Sequence, residues 1–289
     1  MVWVTKMGAG QRKSRTVVQY SSVSLTTGTQ VQSNVVLPTP GDVLGIDIDL
    51  TVNVAGTLTG AKTVENAISR FSVADRTGKS IVDVAGTDLP FLSLLLTDIG
   101  AYTTPETATA STNKYYRDLL AITATLANQP LQLQVTFAPY SALATSGATG
   151  ATVSLTIGVW YGVATNTTRI YKRAVNVTAG DNFEGVNLVN SSMDSKTNLF
   201  TKTNILAFSI GTESNLNYVT FSSDGSADDL GKLIPQQLIN LEDNRYRDGH
   251  QTGKFNLFVS PFVVQTQNTR LDFNAAGSDT ITIYQIEQN

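Results

Sequence analysis

The residues able to do chemistry are few. His250 is the sole histidine, set in the polar stretch Asp248-Gly249-His250, and the 289 residues include no cysteine. A Ser-His-Asp triad would have to use His250 as its base, yet no G-x-S-x-G turn presents an activated serine. Zinc needs several Cys or His ligands, which do not exist here. Disulfide staples and thiolate chemistry are excluded with the cysteines. Neither a P-loop nor a G-x-G-x-x-G turn occurs.

Carboxylates are the remaining candidates. Asp47 and Asp49 lie two residues apart and project from one side of a strand, while Asp224, Asp228 and Asp229 cluster at a turn and an expected helix start. Either set offers oxygen ligands to a hard cation such as calcium. Either reads equally as ordinary structure: a solvated strand face for the first, helix capping and dipole complementarity for the second. Glycosidase chemistry would require two carboxylates across one groove, which spacing along the chain does not establish. The residue types therefore point away from an enzyme, with no catalytic residue, resident metal or cofactor assigned.

Basic residues crowd the start. Lys6, Arg12, Lys13 and Arg15 all precede the first acid, Asp42, and Trp3 with Met1, Val2 and Met7 adds apolar character. Such an arm can meet anionic lipid headgroups, a neighbouring subunit or genome, or it can be a loose terminus. Contact with a neighbour or a membrane is the preferred function. Nucleic acid is disfavoured, because the whole chain carries a net charge of −3 with a pI near 5.2. Basic and aromatic residues interleave only at Tyr115 to Arg117 and at Tyr171-Lys172-Arg173, both read as strand ends.

These side chains are positioned by strands. Ile46, Ile48, Leu50, Val52 and Val54 alternate with Asp47, Asp49, Thr51 and Asn53, the period of a half-buried strand. Leu131 to Phe137 and Val153 to Ile157 repeat the pattern, and the β-branched run Thr280 to Ile286 reads likewise. Gly-rich stretches, Thr145 to Gly150 and Asn274 to Ser278, read as turns. Many short strands with such turns argue an all-β sandwich or barrel. Two helices interrupt them. One starts at Thr87-Asp88-Leu89-Pro90 and runs to Ile99; the other opens with Ser226-Ala227-Asp228-Asp229, continues to Leu241, and should kink at Pro235.

The order of these parts occurs twice. Strand 68–73, turn 75–78, helix, Tyr116-Arg117-Asp118, a strand ending Phe137-Ala138-Pro139-Tyr140, a loop and strand 153–160 make the first set. Strand 216–221, turn 224–225, helix, Tyr246-Arg247-Asp248, a strand ending Val259-Ser260-Pro261-Phe262, a loop and strand 280–286 make the second. An internal duplication follows, its boundary between Gly162 and Thr168. We divide the chain into a basic arm, residues 1–16, a first domain, 17–165, and a second, 166–289.

Charged residues make up 15 % of the chain, against roughly 25 % in typical soluble domains. The surface must be Thr, Ser, Asn and Gln, which are cheaper to desolvate than charges and suit packing against neighbours. Residues 1–15 lack the apolar run of a signal peptide, and Leu89 to Leu96 is too short to span a bilayer. A soluble or peripheral protein is expected.

Two tandem β-sandwiches, each carrying a helix before its final strands, resemble the double jelly-roll major capsid proteins of the tectivirus, corticovirus and adenovirus lineage, in particular the compact bacteriophage members. The resemblance is architectural and covers the chain after about Val17. It implies two tandem eight-stranded jelly-roll barrels, each with a short helix before its final strands. It further implies a homotrimeric, pseudo-hexagonal capsomer tiling an icosahedral shell in the virion, made in the host cytoplasm. Neighbouring trimers and minor capsid or vertex proteins would be its partners, with the arm (Trp3, Lys6, Arg12, Lys13, Arg15) on the inner face, over an internal membrane in several members. The rival is a phage tail or fibre head, or a carbohydrate-binding β-sandwich module. Such a module needs an aromatic platform, and of the tryptophans Trp3 and Trp160 the latter reads as core.

Overall fold

A computed structural model describes residues 14–37, 41–97, 104–125, 130–179, 184–187, 203–223, 227–246, 252–257 and 270–288. The chain forms two compact units, Met1–Arg169 and Ile170–Asn289.

In the first unit, β1 (Ser14–Leu25), β4 (Asp42–Ala61), β7 (Lys114–Leu120) and β9 (Ala144–Gly162) make one antiparallel sheet in the order β1-β9-β4-β7. β2 (Gln30–Val31), β5 (Ile68–Ala74), β6 (Ser80–Val84) and β8 (Leu131–Phe137) make the other, in the order β2-β8-β5-β6, with β3 (Val35–Leu37) also on β8. Helix α1 (Leu89–Thr97) joins β6 to β7.

The second unit repeats this order, its first strand beginning with the last two residues of the first unit. β10 (Thr168–Val177), β12 (Thr203–Ile210), β15 (Lys254–Leu257) and β17 (Asp279–Gln288) pair as β10-β17-β12-β15. β11 (Glu184–Asn187), β13 (Leu216–Ser223), β14 (Ala227–Leu233) and β16 (Arg270–Ala275) pair as β11-β16-β13-β14, and α2 (Pro235–Tyr246) joins β14 to β15. Numbered within a unit of eight strands, with β2 and β3 counted as one, the sheets run 1-8-3-6 and 2-7-4-5 both times. That is the double Greek key of a jelly roll. The expected all-β duplication is observed strand for strand.

Alternation builds each core. Ile46, Ile48, Leu50, Val52 and Val54 are at most 2 % exposed, and Leu133, Val135, Phe137, Phe71 and Val73 of the other sheet are buried with them. Each buried aliphatic side chain contributes about 1.5–3 kcal/mol of transfer free energy. Leu89, Phe91, Leu92, Leu94 and Leu95 of α1 are all buried, as a helix apolar on every side must be. The 3-10 turn that leads into it, Gly86–Asp88, is capped by Asp88, whose carboxylate accepts the Ala85 N–H at 2.8 Å. In the second unit, Phe208, Phe255, Phe273, Val219, Leu238, Ile281 and Ile283 belong to one core cluster.

Four expectations need correction. Thr145 to Gly150 is no loop: it lies inside β9, which pairs with β4 as far as Ala61↔Ala144. Gly56 (φ 115°) and Gly147 (φ 85°) allow this, because a Cβ on either would collide with the facing backbone carbonyl. The second helix does not open at Ser226. Residues 227–233 form β14 against β13, and Pro235 starts the helix instead of kinking it. Proline suits a first helical position, where its missing N–H would be unpaired anyway. Gln237 completes that start, its side-chain oxygen accepting the Ile234 N–H at 3.0 Å.

The shared tripeptide is a coincidence. Tyr116-Arg117-Asp118 lies within β7, whereas Tyr246 ends α2 and residues 247–251 are outside the described residues. By position in the sheets, β15 at 254–257 is the counterpart of β7, and β16 at 270–275 that of β8. The segment 259–262, expected to be β8's counterpart, lies outside the described residues. Finally, Trp160 is not on the core face. Ile157, Val159 and Tyr161 are buried and Trp160, a half-buried ring, points the other way.

Candidate functional site

The outward residues of β4 meet arginines from both flanking directions. Asp47 lies opposite Gly158 of β9, and Arg15 of β1 lies opposite Trp160 of the same strand. The Arg15 side chain must therefore cross β9 to reach Asp47, and Gly158 provides the passage. A Cβ there would overlap both the Asp47 carboxylate and the guanidinium. Arg15 Nε donates to Asp47 Oδ2 at 2.9 Å and Nη2 donates to Oδ1 at 2.5 Å, a two-pronged pair. The Trp160 indole N–H donates to Asp47 Oδ2 at 2.5 Å, and the guanidinium carbon stands 5.4 Å from the ring centroid. The hydrogen bond to Asp47, opposed by burial, raises the Arg15 pKa further.

Arg117 of β7 repeats the device. Its Nε donates to Asp49 Oδ1 at 2.9 Å and its guanidinium stacks 4.9 Å from the Tyr115 centroid. Thr51, Asn53, Ser154 and Thr156 occupy the same outward register. The Asp47–Asp49 pair thus does share one strand face as expected, but both carboxylates are engaged by guanidinium groups, which compete with a bound cation.

Other anticipated residues fall differently. Arg15 is part of β1, while Trp3, Lys6, Arg12 and Lys13 lie outside the described residues, as do Asp224 and His250. Asp228 and Asp229 sit in strand β14, ahead of the helix that begins at Pro235, and not at a helix start. No helix among the described residues is long and apolar enough to cross a membrane.

Two buried polar clusters had no counterpart in the sequence reading. In the β5–β6 turn, Asp75 accepts from the Thr77 N–H at 2.9 Å, the Thr77 hydroxyl at 2.5 Å and the Lys79 N–H at 3.1 Å. Arg169 adds an ion pair at 3.0 Å and donates to the Ser80 carbonyl at 2.7 Å. Burial would push the Asp75 carboxyl up, but the hydrogen bonds from Thr77, Arg169 and Lys79 outweigh it and hold it below its usual range.

Asp118 of β7 is the opposite case. It accepts from Ser93 Oγ of α1 at 2.6 Å, its neighbour Leu119 N–H at 2.7 Å and the Tyr116 hydroxyl at 3.2 Å. Burial dominates these bonds and raises its pKa. A raised carboxyl binds its proton more tightly when folded, so its contribution is complete below about pH 4, the unfolded value, and is lost as pH rises through the folded pKa. Asp118→Asn preserves the hydrogen-bonding shape without the charge. It should raise the melting temperature at pH 7 by about 2–4 °C, the scale of one kcal/mol in a domain this size, and melt with the wild type at pH 3. Equal melting at pH 7 in calorimetry would refute this.

Solved structures similar to the chain include three from virus capsids. The crystal structure of the STIV MCP aligns with TM-score 0.69 and 11 % identity over 96 % of each chain. A chain in the atomic structure of Sulfolobus Turreted Icosahedral Virus aligns with TM-score 0.72 and 11 % identity, over 96 % of this chain and 90 % of that one. The major capsid protein of Bacteriophage PM2 aligns with TM-score 0.59 and 13 % identity, over 96 % and 97 %. No family model matches the chain and no curated protein matches it in sequence. Likeness at this level of identity is likeness of fold, and it spans both jelly rolls.

Proposed function

We propose that this double jelly-roll chain is itself a viral major capsid protein, a structural and non-enzymatic subunit that assembles with copies of itself into the shell of a virion. The observation that carries the reading is the repetition of one eight-strand order in two consecutive units, a fold shared from end to end with capsid subunits. The low charge of the surface supports it, since uncharged polar groups are the cheaper ones to bury between subunits.

In finer detail, three chains close into a pseudo-hexagonal trimer, the trimers tile an icosahedral shell, and minor capsid or vertex proteins complete it. A closed threefold ring hides strand edges that a single chain leaves open. The basic arm lies at the inner face and reaches a neighbour or anionic lipid of an internal membrane, through Trp3, Lys6, Arg12 and Lys13. Arg15 lies within β1, so it belongs to the sheet.

Negative-stain microscopy of the purified protein tests the reading, with pseudo-hexagonal trimers expected and elongated knobs or single chains overturning it. A truncation removing residues 1–13 should keep wild-type melting, because every described strand is retained, while its yield of shells falls severalfold. Wild-type shell yield would remove the arm from the assembly.

A further inference from the structure

We infer that the outward face of the β1-β9-β4-β7 sheet is a contact surface between copies of this chain, with its arginine–aspartate pairs and stacked aromatic rings packed dry against the neighbouring subunit. The inference rests on the capsid reading and names one of the surfaces that assembly uses.

Among the described residues, the centre of the face carries four strong charges that cancel in place: Arg15 with Asp47 and Arg117 with Asp49. Burying it strands no charge. A pair buried whole sets its mutual attraction against the desolvation of both ions, whereas a buried charge without a partner has nothing to offset that cost. The remaining outward residues at its centre, Thr51, Asn53, Ser154 and Thr156, are uncharged.

Each guanidinium also lies against a ring, Arg15 at Trp160 and Arg117 at Tyr115. Aromatic and arginine side chains are the types enriched at interface centres, and stacking holds them in one conformation before binding, which lowers the entropy lost on contact. Gly158 keeps the Arg15 crossing low on the sheet. Tyr115 and the pair Arg117–Asp49 remain open to solvent in the single chain, the latter at 63 % and 46 % side-chain exposure.

Charge selects the partner. A lipid headgroup or nucleic acid phosphate requires an excess of positive charge, which this face lacks, with Glu106 near Arg117 at its margin. A neutral protein surface suits it, and in a shell of one repeated chain that surface belongs to another copy. The other sheet of the unit offers a built-in comparison. There Arg70 pairs with Asp83 and donates to Gln134, with no ring beneath it among the described contacts.

Sedimentation of the full chain across concentrations tests the inference on wild type, Arg117→Glu, Thr51→Glu, Arg70→Glu and the exchange Asp49→Arg with Arg117→Asp. Arg117→Glu and Thr51→Glu should raise the concentration for half-assembly about tenfold or more, since each brings an unpaired charge into the contact. The exchange restores a neutral pair and should assemble close to wild type, and so should Arg70→Glu. Circular dichroism and melting checks that each variant is folded, and Thr51→Glu, which breaks no pair, decides the matter if Arg117→Glu does not fold. Wild-type assembly by both Arg117→Glu and Thr51→Glu would overturn the contact and leave the capsid reading standing. Equal impairment by Arg70→Glu would also overturn it, because charge in general would then be the cause. A wild type that stays monomeric at every concentration would overturn the capsid reading itself, and this inference with it.

Discussion

Arg169→Ala should destabilise the first unit by about 3–5 kcal/mol, the cost of leaving one member of a buried ion pair alone. Both side chains are nearly enclosed, at 13 % and 11 % exposure. Removing Arg169 takes the cation from the Asp75 carboxylate, which keeps its Thr77 and Lys79 donors, and frees the Ser80 carbonyl that the same guanidinium holds. In a domain of this size the melting temperature should fall by roughly 6–20 °C. The pH dependence gives a second readout. Asp75 is held below its usual range when folded, so its stabilising effect is present above about pH 4 and is lost as pH falls through the folded pKa. The gap between wild type and variant should therefore be widest near neutrality and close towards pH 2. A gap that stays constant on acidification would mean that Arg169 acts by packing alone.

Phe208→Ala should cost the second unit about 3–5 kcal/mol. Its ring is fully buried and sits 5.1 Å from the centroids of both Phe255 and Phe273, edge-on to the latter. Those three rings join β12 and β15 of one sheet to β16 of the other, so the cavity opens where the two layers meet. Hydrogen exchange should show faster opening in β12, β16 and β17. A loss under about 1 kcal/mol would mean that the neighbouring side chains collapse into the space.

Much of the fold was legible because strand periodicity is local. The alternation of Ile46 to Val54 names its own buried face, and the order of strands and helices declares the duplication without any contact being known. Local signals also misled. Ser226-Ala227-Asp228-Asp229 satisfies a capping rule, yet pairing with β13 holds residues 227–233 extended, since a ladder of cross-strand bonds outweighs a weak helix preference. Gly147 punctuates like a turn residue while serving a close approach between strands. The outward direction of Trp160 could have been found: continuing the parity of Val153, Leu155 and Ile157 puts Val159 and Tyr161 inside and Trp160 out.

The amino-acid sequence by itself determined that this is an all-β protein made of one unit twice over, poor in charge, without cysteine and with a single histidine, because composition and alternation act over a few neighbours at a time. Only the tertiary structure decided who meets whom. Arg15 finds Asp47 across 32 residues, Trp160 finds it across 113 and Arg169 finds Asp75 across 94. Such partners are set by strand order and register, which emerge when two sheets close over a common core and leave no local trace.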